Sequence, residues 1–163
     1  MKVRIIDNLD STAEPLNYSD ADRVATLIRE NTKAMNQGEY SAAELEALCG
    51  FATPETIQKE VDRGFLVLLL SDEGNLIGCA LVIKIGGKPF LKTIQVSKNF
   101  SRKGYGNLLY QHCQDRIRKT RLQEIKVQVT KFPCAEAFYK KHGFVKTGNP
   151  THKDLYFAMY KSF

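Results

Sequence analysis

Three strand-like segments separated by two short turns constrain the fold of this chain more than any other feature. Residues 65–70 are an unbroken apolar run, and residues 76–85 and 90–96 are also rich in apolar and β-branched residues. The turns between them, residues 72–75 and 86–89, contain the glycine, proline, asparagine and aspartate that tight turns favour. Connections this short join neighbouring antiparallel strands. The sequence therefore predicts an antiparallel meander over residues 65–96.

A strand and three helical segments precede the meander. Residues 3–6 predict the opening strand, and Val24, Leu27, Ile28 and Asn31 recur at the spacing of a helix face. The predicted N-caps of the three helices are Ser19, Ser41 and Thr53. Ser41 and Glu44 form a capping-box pattern, and the third helix is expected to end at Gly64.

A strand, loop, helix, strand unit is expected after the meander. The helix over residues 105–119 carries one predicted apolar face: Leu108, Leu109, His112, Cys113 and Ile117. A strand over residues 125–129 follows, and then a short helix over residues 133–142 that Gly143 closes. Strands are expected near residues 144–147 and 155–160. No repeat or low-complexity segment interrupts this order, and 163 residues predict a single domain, residues 1–163.

Composition restricts location and metal chemistry. The sequence lacks the run of roughly 18 apolar residues that a membrane span needs, so we expect a cytoplasmic protein without a membrane partner. Its four cysteines are scattered, with neither a C-x-x-C pair nor a matching histidine cluster. We therefore predict no metal site and no disulfide framework, but reduced and mostly buried thiols.

Charge is distributed unevenly along the chain. Residues 1–63 contain seven Lys or Arg and twelve Asp or Glu, a net charge of −5, whereas residues 64–163 contain seventeen and six, a net charge of +11. A basic surface suits nucleic acid, anionic lipid or a polyphosphate ligand. Specific motifs have to decide among these partners.

The most specific motif lies between the third meander strand and the following helix. It contains Ser101, Arg102, Lys103, Gly104, Tyr105, Gly106 and Asn107. Glycines allow a backbone to approach an anion closely, and the first turn of a helix offers unpaired N–H groups at its positive end. Such a loop suits a diphosphate, although an ordinary glycine-rich connection with solvated charges is an equal alternative from the loop alone.

Two familiar nucleotide loops do not fit this motif, and a third signature does. A Walker P-loop needs Gly, four residues, Gly, Lys and Ser or Thr, which the sequence does not supply, and Leu109 stands where a dinucleotide fingerprint needs glycine or alanine. Residues 94–109 instead resemble the coenzyme A signature of the GNAT superfamily of N-acetyltransferases. The resemblance lies in the Ile-x-Val strand end, the Arg-Lys-Gly-Tyr-Gly loop and the following Leu-Leu.

A second block strengthens the resemblance. Residues 135–144 are similar to the family's later Ala-x-x-hydrophobic-Tyr-x-x-x-Gly-Phe segment. The order of elements also fits the family over nearly the whole chain. The resemblance implies an α+β, three-layer fold with a mixed, mostly antiparallel central sheet of about six to seven strands flanked by helices.

Two positions depart from the family pattern. Ser101 stands where the family usually has Gln or Arg, and Phe132 where it often has Asn. These changes bear on coenzyme contacts. A serine keeps its backbone N–H, however, and Arg102 is available to supply charge from the neighbouring position.

The resemblance implies acetyl-coenzyme A as the cosubstrate and acetyl transfer to an amine. Residues 102–107 would bind the pyrophosphate, the backbone of residues 94–96 would pair with the pantetheine amides like an added strand, and the Val96 N–H would stabilise the oxyanion. Tyr139, with an ordinary phenol pKa of about 10, would donate a proton to the departing thiolate. The residues expected at the coenzyme site are Ile94, Gln95, Val96, Ser101, Arg102, Lys103, Gly104, Tyr105, Gly106, Asn107, Phe132, Ala135, Phe138 and Tyr139.

The base that deprotonates the amine is not identified by the sequence, and Glu30, Glu39 or a water chain are the alternatives. His112 is expected to pack in the core, and His142 to lie near Tyr139. Cys134 is expected to be buried and inert.

The acidic first part of the chain would favour a cationic acceptor, a small molecule or a protein or peptide amine. The alternatives are an acyl-coenzyme A-binding module without turnover and a nucleic-acid-binding protein. A nucleic-acid site would depend on four basic residues that we expect to be solvated instead: Arg116, Arg118, Lys119 and Arg121. We therefore expect no nucleic-acid partner. Oligomeric state stays open between monomer and homodimer.

Overall fold

The computed structural model describes residues 1–7, 15–120, 122–151 and 155–163. These parts of the chain contain seven strands and five α-helices. In chain order they are β1 (Lys2–Ile6), α1 (Tyr18–Met35), α2 (Ala42–Cys49), α3 (Pro54–Val61), β2 (Gly64–Leu70), β3 (Leu76–Ile85), β4 (Lys88–Val96), α4 (Tyr105–Lys119), β5 (Glu124–Thr130), α5 (Pro133–Lys141), β6 (Val145–Thr151) and β7 (Tyr156–Ser162). A short 3₁₀ turn at Lys98–Phe100 leads from β4 into the loop before α4.

One sheet contains all seven strands in the order β1-β2-β3-β4-β5-β7-β6. Every neighbouring pair is antiparallel except β4 and β5, which run parallel. The antiparallel meander is β2-β3-β4, as the two short turns predicted. The predicted mixed, mostly antiparallel sheet is thereby confirmed.

Helices cover both faces of the sheet and give three layers. Side chains from α1 and α3 pack on one face, against Leu66, Leu68 and Leu81. Side chains from α4 and α5 pack on the other, against Val67 and Val82. Because β2 is buried on both faces, it needs apolar residues at every position rather than at alternate ones. This explains the unbroken apolar run at residues 65–70.

Two of the three predicted N-caps are confirmed. The Ser41 hydroxyl accepts from the Glu44 N–H while the Glu44 carboxylate accepts from the Ser41 N–H. The Thr53 hydroxyl caps α3 by accepting from the Thr56 N–H. The prediction for α1 was wrong, because its N-cap is Asn17, whose side chain accepts from the Asp20 N–H. Asparagine is as good an N-cap as serine, so capping preference alone does not separate the two positions.

The prediction that Gly64 ends α3 was also wrong. The helix ends at Val61, and Gly64 is the first residue of β2. A Cβ atom at position 64 would lie 1.9 Å from the carbonyl oxygen of Val82 on β3. Gly64 is therefore required by the close approach of two strand backbones, and not by a helix end.

Helix α4 buries a different set of residues from the predicted face. Leu109, Cys113 and Ile117 are buried as expected, whereas Leu108 and His112 are only partly buried. Tyr110, which was not predicted, is almost fully buried. Gly143 follows α5 with a φ of +83°, as the glycine predicted.

All four cysteines are free thiols, and three of them are buried. Cys134 is exposed, which contradicts the expectation of a buried residue, because the first turn of α5 points it to solvent. None of the helices in the described parts of the chain is long and apolar enough to cross a membrane. Within the same residues, no cluster of three or more His, Cys, Asp or Glu is arranged to hold a metal ion.

Candidate active site

The sheet opens between β4 and β5, its two parallel strands. They pair only at Phe90 with Lys126 and at Leu91 with Val127. Beyond that point β4 continues to Val96 and β5 to Thr130, and the two strands diverge. This leaves the carboxyl half of β4 with one backbone edge that no strand covers.

A cavity of about 160 Å³ occupies this opening. Ile94, Val129, Ala135 and Tyr139 line it on the side of α4 and α5. Helices α1 and α2 and the following turn line it on the other side, through Ile28, Thr32, Leu48 and Phe51. The opening therefore connects the two faces of the sheet, and a molecule on one face can meet a molecule on the other inside it.

A β-bulge in β4 shapes the wall of this cavity. Leu81 of β3 pairs with Thr93 and the next residue, Val82, pairs with Leu91, so Lys92 is an extra residue on β4. Bulges bend a strand and redirect side chains, and they are frequent beside active sites. Here the bulge lies at the point where β4 begins to leave β5.

Asn31 of α1 holds the end of β4. Its side-chain amide donates to the Val96 carbonyl oxygen over 2.7 Å and contacts the side-chain oxygen of Gln95 at 3.3 Å. The Gln95 amide in turn donates to the Thr93 hydroxyl over 3.0 Å. Because β5 does not pair with β4 at Val96, the Val96 carbonyl would lack a hydrogen-bond donor without Asn31. The Asn31 side chain is itself buried, so the contact also satisfies its amide. The sequence placed Asn31 on the predicted helical face with Val24 and Leu27, but its contact with Val96 was not predicted, because the two residues are 65 positions apart in the chain.

The exposed edge of β4 also carries the Val96 N–H. The Ser97 N–H donates to the Ile77 carbonyl oxygen on β3 over 2.8 Å. Because backbone groups alternate along a strand, those of Val96 face the opposite edge, toward the opening. The predicted oxyanion donor thus lies on the edge of β4 that borders the opening.

The loop after β4 turns sharply into α4. Arg102 and Gly104 both have positive φ values, +60° and +84°, and Gly104 is the N-cap of the helix. A Cβ atom at Gly104 would meet nothing within 4 Å, so the turn requires glycine for its backbone conformation rather than for space. The first helical bond runs from the Leu108 N–H to the Gly104 carbonyl, and the amides of residues 105–107 lie ahead of it.

The two glycines of this loop have different roles. Gly106 packs against α5, where a Cβ atom would lie 3.3 Å from the Phe138 ring and 4.0 Å from the Val96 side chain. Gly106 therefore permits the close approach of α4 to α5 and β4. Gly104 alone stands in open space beside the exposed residues Ser101, Arg102 and Lys103.

The remaining predicted loop residues are partly buried. Tyr105 packs edge-to-face on Phe100, and the Lys103 ammonium lies 5.5 Å from the same ring. The Asn107 side-chain oxygen lies 3.0 Å from His142 Nε2, which joins α4 to the end of α5. His142 packs on the Tyr110 ring at 4.3 Å, and burial with nearby Lys161 and Lys141 lowers the pKa of its imidazole.

Tyr139 of α5 lies on the wall of the opening. It is 7% exposed, and its ring packs edge-to-face against Phe138 and Phe144. Burial raises the pKa of the Tyr139 phenol above its ordinary value. The hydroxyl therefore stays protonated at neutral pH. Ala135 of the same helix also lines the cavity, and Phe132, the N-cap of α5, is partly buried at the start of that helix.

Several charged residues considered from the sequence lie away from this opening. Glu30 and Glu39 are exposed and do not line the cavity, and Glu44 is partly buried in its capping box. On α4, Arg118 and Lys119 are exposed, whereas Arg116 pairs with Asp7. Arg121 lies outside the described residues.

The fold and this opening define a class of enzyme, and comparison with known proteins agrees. Residues 36–159 match the family described as Acetyltransferase (GNAT) domain, and the chain belongs to that family. It is therefore an acetyltransferase that takes its acetyl group from acetyl-coenzyme A. No curated protein matches the chain in sequence.

Solved structures share the fold at low sequence identity. The PaiA N-acetyltransferase of Thermoplasma acidophilum, in complex with coenzyme A, is 21% identical with a TM-score of 0.79, and the match covers 100% of both chains. The ribosomal-protein-S18-alanine N-acetyltransferase of Escherichia coli is 18% identical with a TM-score of 0.62, covering 99% of this chain and 94% of that one. The N-acetylglutamate synthase of Neisseria gonorrhoeae, complexed with coenzyme A and N-acetyl-glutamate, is 16% identical with a TM-score of 0.68, covering 99% of this chain and 35% of that one.

Proposed function

We propose that this protein transfers the acetyl group of acetyl-coenzyme A to a primary amine by direct attack of the amine on the thioester. The observation that carries the proposal is the opening between β4 and β5, which adjoins the glycine turn at the start of α4. The opening admits two reactants from opposite faces of the sheet. The glycine turn offers the N-terminal amides of α4 for an anion.

The residues present fit the coenzyme. The amides of residues 105–107 and the exposed side chains of Arg102 and Lys103 would bind the pyrophosphate, as the positive end of a helix favours an anion. The uncovered edge of β4 at Ile94 to Val96 would pair with the pantetheine amides. The Ser101 N–H donates to the Lys98 carbonyl oxygen over 3.2 Å, so Ser101 would contact the coenzyme through its exposed side chain. Phe132, Ala135 and Phe138 would form the apolar wall beside the loop.

Two groups on the chain would act on the reacting atoms. The Val96 N–H would hydrogen-bond the carbonyl oxygen as it gains negative charge, which is the usual means of stabilising a tetrahedral intermediate. As the new N–C bond forms and the C–S bond breaks, the Tyr139 hydroxyl would donate its proton to the departing sulfur. The raised pKa of Tyr139 supports this role, because a protonated phenol is required.

The amine has to lose a proton before it attacks. Glu30 and Glu39 are exposed and do not line the cavity, so direct contact with an acceptor there would require these side chains to move. We favour removal of the proton through water in the opening. The expectation of a cationic acceptor depended on the acidic first part of the chain, whose Glu39 and Glu44 would act only at a distance.

The proposal also covers the domain organisation, cellular location and oligomeric state of the enzyme. All described strands join one sheet, which supports a single catalytic domain over residues 1–163. The free thiols support a reducing, cytoplasmic location. We propose a monomer or homodimer, with acetyl-coenzyme A and the amine as its partners.

Thiol release from acetyl-coenzyme A across a panel of primary amines tests the proposal. We expect amine-dependent release of coenzyme A and acetylated amine in equal amounts, and a higher melting temperature with millimolar acetyl-coenzyme A. Stabilisation without release for any amine would instead identify a coenzyme-binding module. Neither effect, together with tight oligonucleotide binding at physiological salt, would overturn the acetyltransferase proposal.

A further inference from the structure

The bulge in β4 turns two consecutive side chains to the same face of the sheet. Thr93 pairs with Leu81, which packs under α1 and α3, so Thr93 shares that face. Lys92 reaches the same side, because its ammonium lies 4.7 Å from the centre of the Phe51 ring. In a regular strand, neighbouring side chains point to opposite faces. The bulge therefore adds a lysine to the wall of the cavity on the side of α1 to α3.

The charge of Lys92 is only partly compensated. Its ammonium lies 3.7 Å from one Glu60 oxygen, at the outer limit of an ion pair. The other Glu60 oxygen accepts a hydrogen bond from Arg63 over 2.7 Å. Two cations thus share one carboxylate, and the group of three carries a net positive charge. Because the Lys92 side chain is 24% exposed, this charge is screened less than one on the open surface.

Apart from Lys92 itself, the polar side chains on this side of the cavity are neutral and include hydrogen-bond donors. Thr32, Thr93 and Gln95 all line the same side of the cavity. A cation with neutral donors beside it attracts an anionic group and repels a second cation. The thioester is expected on the opposite side, where Ala135 and Tyr139 lie.

We propose that Lys92 binds an anionic group of the acceptor, so that the acceptor is an amine that also carries a carboxylate. This inference rests on the proposed amine acetyltransfer and specifies its substrate class. Lys92 is a specificity-determining residue that holds one end of the acceptor while the amine at the other end reaches the opening. The charge beside the cavity, and not the acidic first part of the chain, selects the acceptor.

Acceptors matched in length test this inference. Three ω-amino acids, β-alanine, 4-aminobutanoate and 5-aminopentanoate, are each compared with the corresponding ω-amino amide and with a diamine of similar length. These compounds present the same primary amine and differ in the far end. We expect kcat/KM for the best ω-amino acid to exceed that of its amide by about tenfold or more, because a charge-assisted hydrogen bond is lost in the amide. The diamines should have a lower kcat/KM than the amides.

Substitutions of Lys92 test whether this residue causes the preference for a carboxylate-bearing acceptor. Lys92→Met keeps most of the length of the side chain and removes its charge, and Lys92→Arg keeps the charge. We expect Lys92→Met to reduce the carboxylate preference to about one, mainly by raising KM for the acceptor, with KM for acetyl-coenzyme A unchanged. Lys92→Arg should retain the preference. Lys119→Met, an equal change of charge at the exposed end of α4, should leave it unaltered.

The outcomes separate this inference from the proposed function. Thiol release with equal kcat/KM for acid and amide, or a preference that survives Lys92→Met, would overturn the role of Lys92 and leave acetyl transfer intact. Turnover with diamines alone would do the same. Absence of release with every amine, together with absence of stabilisation by acetyl-coenzyme A, would remove the proposed function itself.

Discussion

Gly104 allows the coenzyme loop to be tested by one added methyl group. Gly104 has a φ of +84°, and a Cβ atom there would meet nothing within 4 Å. Gly104→Ala therefore adds backbone strain without a clash. Gly74, in the turn between β2 and β3, has a φ of +82° and equally open surroundings. Gly74→Ala is a matched control with the same strain at a position outside the proposed site.

Each substitution should lower the free energy of unfolding by about 1 kcal/mol, the usual cost of a left-handed conformation for alanine. The two variants should therefore have similar urea midpoints. They should differ in binding, because relief of strain at Gly104 rotates the amides of the first turn of α4, which the coenzyme pyrophosphate is proposed to contact. We expect Gly104→Ala to weaken coenzyme A binding about fivefold to tenfold, and Gly74→Ala to leave it unchanged.

Urea unfolding and isothermal titration with coenzyme A measure the two quantities separately. Equal losses of stability with equal dissociation constants would show that this turn does not contact the coenzyme. A Gly104→Ala protein as stable as the wild type would show instead that the strain argument fails. Pantetheine, which lacks the pyrophosphate, provides a further check, since its binding should not distinguish the two variants.

Four other predictions follow from single positions in the structure. Tyr139→Phe should lower kcat at least tenfold with little change in coenzyme affinity, because it removes only the proposed proton donor, and unchanged turnover in steady-state assays would exclude that role. Asn31→Asp keeps the side-chain shape but removes the amide donor, so the partly buried Val96 carbonyl loses its partner; urea unfolding should show a loss of about 1 to 3 kcal/mol. The same variant should lower kcat more than a surface substitution of equal stability cost, and an equal effect would assign Asn31 a structural role only. Gly64→Ala should fail to give folded protein in circular dichroism and solubility tests, because its Cβ atom would overlap the facing strand; a stable variant would contradict the backbone approach described for β2 and β3. Because the pKa of His142 is lower in the folded state than in the unfolded chain, its contribution to stability should fall as pH drops below about 6.5, and His142→Asn should reduce that pH dependence in urea unfolding.

Much of the fold could be predicted because its signals are local. The turns at residues 72–75 and 86–89 predict the meander, and Ser41 with Glu44 predicts the start of α2. The errors occurred where two local signals compete or where a contact distant in sequence determines the residue. Asn17 and Ser19 are equally good caps, and the position of α1 in the fold decides between them. Gly64 has the sequence signal of a helix end, yet the carbonyl of Val82, distant in sequence, makes glycine necessary.

The proposed coenzyme loop could also be predicted, because its signals are local in the sequence. Residues 101–107 are contiguous, and glycine readily adopts the positive φ that Gly104 has in the structure. Their contacts with a coenzyme remain predictions. The residues on the other side of the opening could not be predicted from the sequence. Asn31, Lys92 and Phe51 belong to three separate segments that come together only in the folded chain.

The sequence by itself determined the order of strands and helices, the antiparallel meander and the glycine turn before α4, because each depends on residues close together in the chain. Tertiary structure alone decided where the sheet opens. The position of the opening depends on how many residues of β4 and β5 pair, and these two strands are separated in the sequence by α4. It also decided which side chains border the opening. Asn31 reaches Val96 from another layer, and the bulge turns Lys92 to the face of α1 to α3. The position of the opening and the side chains that border it both depend on hydrogen bonds across the sheet and between layers. No local sequence pattern predicts such bonds.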